Sequence, residues 1–152
     1  RGGDQAAIFS ENGYVYFGGV SNRVNDNNRV SPRQTAANIS TLIKKHNKAI
    51  IMGHKYSDCD AIGAALGMYF FAESCGVDAF VAVDSKTTLA TPLIEMFEEK
   101  GFKHFISTSK ALDMCKDDTV VIVVDTQRKA LTESPDLYDL AGCVYPAHPL
   151  LR

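Results

Sequence analysis

His54, Asp58 and Asp60 place one imidazole and two carboxylates within seven residues. Two aspartates one residue apart in a tight loop can present their carboxylates to one or two ions. Oxygen-rich donor sets with a minority of imidazole suit Mn²⁺ or Mg²⁺ better than soft-ligand metals. Asp125 is the fourth candidate. It directly follows Thr119-Val120-Val121-Ile122-Val123-Val124, the most β-branched run in the chain, so a rigid element would hold it. A carboxylate shared between two ions about 3.5–4 Å apart is the arrangement used for in-line phosphoester hydrolysis. Lys55 could neutralise a substrate phosphate, and Gly63 could allow close approach of a phosphate to a helix start.

Each residue also has a plainer use. Asp58 or Asp60 would serve equally as a helix N-cap. A single His54 fits a hydrogen-bonded structural histidine. Lys55 fits a solvated side chain, and Gly63 fits tight packing of a helix on a sheet. Asp84 reads as a loop-turning residue. Cys59, between two inward carboxylates, is expected to face away. Tyr69, Phe70 and Phe71 read as core.

The elements that must position these groups follow from hydrophobic pattern. Ala6–Phe9 and Tyr14–Phe17, joined through Ser10-Glu11-Asn12-Gly13, read as a β-hairpin. Ser21 to Arg29 is polar and reads as a linker. Ser31-Pro32 opens a helix carrying Ile39, Leu42, Ile43 and His46. Ala49-Ile50-Ile51-Met52 fits a strand buried on both faces. A helix follows from Asp60 to Cys75, stopped by Gly76. Ala79–Val83 is the next strand. Thr91–Lys100 is a helix stopped by Gly101, Phe105-Ile106 a short strand, and Ser107–Cys115 a short helix. After the strand Thr119–Val124, a helix starts at Ser134-Pro135 and a strand at Cys143-Val144-Tyr145. Strands alternating with helices predict an α/β fold with a parallel, helix-covered sheet. Ligands of such sheets gather beyond the carboxyl ends of the strands, where His54 to Asp60 and Asp125 fall.

Composition narrows the function classes. The 152 residues carry 16 basic and 18 acidic side chains, a formal charge of −2, which argues against a broad basic surface for duplex nucleic acid. No apolar run approaches the ~20 residues of a membrane span. Cys59, Cys75, Cys115 and Cys143 form no Cys-x-x-Cys pair, so zinc-ribbon and dithiol chemistry are not indicated, and reduced cytosolic thiols are expected. Cys75 and Cys115 read as small core residues. The opening Arg1-Gly2-Gly3, without an initiating Met, suggests a fragment.

Met52-Gly53-His54-Lys55 followed by Asp58-Cys59-Asp60-Ala61-Ile62-Gly63 resembles the first motif of the DHH phosphoesterase family, His-x-x-x-Asp-x-Asp-x-x-Gly. Val123-Val124-Asp125-Thr126 resembles its second motif. Within the family, the chain resembles the GdpP-type cyclic di-AMP phosphodiesterases. These join a membrane anchor, a sensor and a degenerate GGDEF domain to a DHH/DHHA1 hydrolase. Arg1–Ala6 and Tyr16-Phe17-Gly18-Gly19 resemble the end of that degenerate GGDEF domain. The resemblance implies a GGDEF-like tail and linker at residues 1–30, and the N-terminal part of a DHH domain at 31–152. It implies hydrolysis of cyclic di-AMP to pApA with two Mn²⁺ ions in the complete protein, Mg²⁺ being the substitute. His54 and Asp58 would hold one ion, Asp60 the other, and Asp125 would bridge them. Asp58, Asp60 and Asp125 are thus the catalytic set, with Lys55 and Gly63 toward the substrate. The resemblance also implies a membrane-anchored full-length protein, a catalytic part on the cytoplasmic side, and room for a homodimer. A linear substrate, short RNA or pApA, is the alternative within the family.

The sequence also departs from the family pattern. Gln127 stands where relatives often have His, and Tyr56-Ser57 where they often have Asn-Pro. Pro146-Ala147-His148-Pro149 stands where the Asp-His-His motif would follow the last strand, and the stretch given does not include a DHHA1 domain. The stretch given is therefore expected to be non-catalytic by itself.

Overall fold

The computed structural model describes residues 5–10, 13–18, 32–126, 128–140 and 144–146. Two strands, β1 (Gln5–Ser10) and β2 (Gly13–Gly18), pair antiparallel from Gln5↔Gly18 to Ser10↔Gly13. This is the expected hairpin. Its turn residues 11 and 12 lie outside the described residues, as do the linker 21–29, Ser31, Gln127, Cys143 and the stretch from Ala147 to the end.

The remaining elements run in the order helix α1 (Pro32–Ile43), strand β3 (Lys48–Met52), helix α2 (Cys59–Ser74), strand β4 (Asp78–Ala82) and helix α3 (Thr91–Glu99). Strand β5 (Phe105–Ile106), helix α4 (Thr108–Met114), strand β6 (Thr119–Val123), helix α5 (Pro135–Leu140) and strand β7 (Val144–Pro146) follow. A single 3-10 turn, Lys129–Leu131, lies between β6 and α5 and has no counterpart in the sequence reading. The observed ends fall within a residue or two of those expected. Gly76 (φ +79°) and Gly101 (φ +89°) close α2 and α3 in the left-handed region that glycine enters without a Cβ penalty.

The five strands β3 to β7 form one parallel sheet in the order β5-β4-β3-β6-β7. Its central strands are buried on both faces, which is why they read as continuous apolar runs rather than alternating ones. Alternation survives as a division between two cores. Ile51, Val81, Ile122 and Val124 face α1 and α2 through Ile43, Ala65 and Tyr69. Ile50, Met52, Val121 and Val123 face α4 and α5 through Ala111 and Leu137. A third cluster seats α3 on α2 through Ile62, Leu66 and Ile94. Tyr69 is buried and Phe71 half-buried, but Phe70 is 54% exposed. The expectation of three consecutive core aromatics fails at Phe70 because neighbouring helical positions stand about 100° apart. Cys75 and Cys115 are half-buried against the two main cores. No helix among the described residues is long and apolar enough to cross a membrane.

The chain winds from β3 outward to β4 and β5, then returns to β6 and continues outward to β7. The winding direction thus reverses between β3 and β6, which are hydrogen-bonded neighbours. Their carboxyl ends flank the crevice where ligands of open α/β sheets bind.

Candidate metal centre

Both loops at this crevice deliver candidate residues. His54 follows β3, Asp58 caps α2, and Asp125 follows β6. Their ligand atoms lie within 4.8 Å of one another. His54 Nε2 stands 3.7 Å from Asp58 Oδ1 and 3.5 Å from Asp125 Oδ2. Those separations are too long for hydrogen bonds, so the groups face a shared space rather than one another. Two donors bound to one ion at roughly 2.0–2.2 Å would stand about 3–4.4 Å apart. The spacing and the one-nitrogen, carboxylate-rich set therefore fit a hard divalent ion.

The imidazole is oriented for this role. Its Nδ1 lies 2.8 Å from the Lys55 carbonyl oxygen, an atom that can only accept. The proton of the neutral ring is thus held on Nδ1, and the Nε2 lone pair faces the two carboxylates. Asp58 takes its expected place as the cap of α2 within the trio. Its Oδ1 accepts the N–H groups of Asp60 and Ala61, each at 3.0 Å, and so starts α2. The Ala61 N–H is the largest influence holding its carboxyl below the usual range, against the raising effect of burial; His54 and the Asp60 N–H add to the lowering. Asp58 therefore stays ionised at neutral pH. Asp125 has φ +56° and Tyr56 φ +60°, both in the left-handed region. Aspartate enters that region more readily than most residues, whereas tyrosine gains nothing locally that offsets a cost of about 1–2 kcal/mol. Such backbone conformations cluster at functional sites.

Asp60 stands outside this trio. It lines an adjoining open groove of about 680 Å³ that Asp125 also borders. Asp125 is thus common to both spaces. Gly63 and Gly67 lie along the same groove, and a Cβ at either would meet nothing within 4 Å. Gly63 therefore serves an open surface, not tight helix–sheet packing. Cys59 corrects the sequence reading, since its exposed thiol lines the groove instead of facing away. Alternation between neighbours belongs to strands; residues 59 and 60 are helical and share a flank with Gly63 and Ala64, four residues on. Lys55 is exposed, with Nζ 5.2 Å from the centre of the Tyr56 ring, at the lip of the site rather than among the trio. Asp84 turns its own loop, accepting the Lys86 N–H at 2.9 Å.

Two polar residues that spacing could not single out complete the surroundings. Ser57 is buried, and its hydroxyl lies between the His54 carbonyl and the Glu133 carboxylate. Gly53 makes the close approach beneath them. A Cβ there would stand 3.1 Å from Ala61 Cβ and 3.3 Å from Ser57 Oγ. Gly53→Ala is expected to cost about 1 kcal/mol and to weaken divalent-metal binding, because the Asp58 cap and the Ser57 turn must both shift. Thermal melts and Mn²⁺ titration of this variant would check both effects.

A model of the DHH family, N-terminal domain, matches residues 48–144, a span that contains every residue of this centre. The chain belongs to the DHH family. It is 38% identical over 136 residues to the cyclic-di-AMP phosphodiesterase GdpP of Geobacillus thermodenitrificans (strain NG80-2), covering 86% of this chain and 21% of that protein. The GdpP of Bacillus subtilis (strain 168) is 34% identical over 137 residues, with the same coverage of 86% and 21%. The cyclic-di-AMP phosphodiesterase PdeA of Listeria monocytogenes serotype 1/2a (strain 10403S) is 30% identical over 146 residues, covering 93% of this chain and 22% of that protein. This DHH chain thus spans about a fifth of the length of the curated relatives it matches.

Proposed function

We propose that this chain carries the metal-binding first half of a phosphodiesterase site that hydrolyses cyclic di-AMP to pApA. The observation that supports it is the convergence of His54, Asp58 and Asp125 from the loops after β3 and β6 at the switch point of the sheet. Similarity to three cyclic-di-AMP phosphodiesterases supplies the substrate class.

In this reading His54 and Asp58 hold one Mn²⁺, Asp60 belongs to a second, and Asp125, bordering both spaces, is shared. Divalent ions held there supply Lewis acidity toward a phosphoryl oxygen and acidify a water. The chain's own residues do the rest. Lys55, exposed beside His54, attracts the phosphates. The open flank of α2 at Gly63 leaves room for them. Asp58, kept ionised by its backbone N–H bonds, remains a ligand without having to lose a proton. Residues 1–30 are the end of a GGDEF-like domain, and the complete protein is membrane-anchored with this part on the cytoplasmic side.

The test is an assay of the complete protein with Mn²⁺ and either cyclic di-AMP or pApA. pApA is expected to accumulate from the cyclic substrate and to stop accumulating on chelation. Turnover of pApA with cyclic di-AMP left intact would overturn the substrate assignment in favour of a linear dinucleotide.

A further inference from the structure

Glu133 lies 76 residues from Ser57 in sequence, yet from the segment after β6 it meets the loops that follow β3 and β4. Its backbone N–H donates to the Gly53 carbonyl at 2.9 Å, at the end of β3. Its Oε1 accepts the Asp84 N–H at 2.8 Å, in the loop after β4. Its Oε2 lies 3.0 Å from Ser57 Oγ. Ser57 Oγ in turn lies 2.7 Å from the carbonyl of His54. The neighbouring residue Thr132 pairs with His54 in an isolated antiparallel bridge.

The described partners of the Glu133 carboxylate are an N–H and a hydroxyl, not a cation. A half-buried carboxylate used this way works as a brace: it fixes distances between backbones that the sheet does not connect. What it fixes here is the turn from His54 to Ser57. That turn sets where the Lys55 carbonyl lies, and the Lys55 carbonyl holds the Nδ1 proton that leaves Nε2 facing Asp58 and Asp125. We propose that Glu133 is a positioning residue for His54, acting through Ser57. The proposal rests on the reading of His54 as a metal ligand for its consequence, but not for its geometry.

Glutamine at 133 should do the same work. Its carbonyl oxygen can accept the Asp84 N–H, and its amide N–H can donate to Ser57 Oγ, whose one hydrogen then goes wholly to the His54 carbonyl. Alanine can do neither. The experiment uses the full chain, with NMR of the His54 ring in the absence of metal and calorimetric titration with Mn²⁺. Glu133→Ala is expected to lose the single Nδ1–H ring signature and to bind Mn²⁺ roughly 10–100-fold more weakly, the usual cost of removing an outer partner of a metal-binding histidine. Glu133→Gln is expected to restore both. Ser57→Ala, which cuts the brace at its other end, should give the altered ring signature even if Glu133→Ala fails to fold. An unchanged His54 ring in Ser57→Ala, or in a folded Glu133→Ala, overturns the proposal. So does a Glu133→Gln variant as impaired as the alanine one, because charge rather than bracing would then matter. A wild-type chain that binds no Mn²⁺ while its His54 ring still responds to both truncations supports the brace and overturns the metal reading alone.

Discussion

Asp125→Asn is expected to remove Mn²⁺ binding while leaving the metal-free fold as stable as before. The substitution preserves shape, and asparagine tolerates the φ of +56° found at this position. It also removes one of two carboxylates that converge on the same space beside a single imidazole. Nothing in the apolar core depends on that charge, so the change in stability without metal should stay within about 0.5 kcal/mol. With metal the variants should part. Asp125 borders both the trio and the adjoining groove, so its loss should exceed the roughly 10–100-fold cost of losing an outer partner. A ligand at a hundred times its Kd stabilises a fold by about 2.7 kcal/mol. The wild-type melting temperature should therefore rise with Mn²⁺, and that of Asp125→Asn should not. An equal metal-dependent rise in both would remove Asp125 from the ligand set. Under the proposed function, the complete protein carrying Asp125→Asn should also lose hydrolysis of cyclic di-AMP.

Much of this arrangement was legible before the structure, for identifiable reasons. Parallel strands buried on both faces announce themselves as unbroken apolar runs, so β3 and β6 were located within a residue. Ligands gather at strand ends, so His54 and Asp125 could be placed on one side of the sheet without knowing that β3 and β6 are neighbours. Asp58 was legible as a cap, and in capping α2 it still lies beside His54 and Asp125. What stayed hidden was of two kinds. Backbone conformation at single residues, such as the left-handed Tyr56 and Asp125, has no periodic signal. Long-range polar contacts have none either: Ser57 and Glu133 meet only because the 3-10 turn at Lys129–Leu131 brings the segment after β6 back across the end of β3, where the Lys55 N–H meets the Leu131 carbonyl at 2.7 Å. Cys59 departs from strand-like alternation because it is already helical.

The cap formed by Asp58, together with its proposed use as a ligand, gives the second large effect, and two substitutions separate the two. Asparagine caps helices about as well as aspartate, whereas alanine does not, at a cost of typically about 1 kcal/mol. Asp58→Asn should therefore melt like the wild type at neutral pH without metal, and Asp58→Ala should melt lower. Both should lose Mn²⁺ binding, because neither supplies a carboxylate. Acid adds an independent check. The folded carboxyl of Asp58 sits below its ordinary value of 3.8, chiefly through the Ala61 N–H. A depressed value in the folded state means that the ionised cap stabilises the fold above pH 3.8 and that this contribution fades as pH falls from there through the lower folded value. Asp58→Asn has no proton to gain, so its stability should vary less than that of the wild type over the same acid range. Thermal melts of the three chains from neutral pH down to about pH 3, with and without Mn²⁺, would measure both uses. A Asp58→Asn chain that keeps full metal binding would show that the cap is this residue's whole role, and His54 and Asp125 would then need another partner to complete the centre.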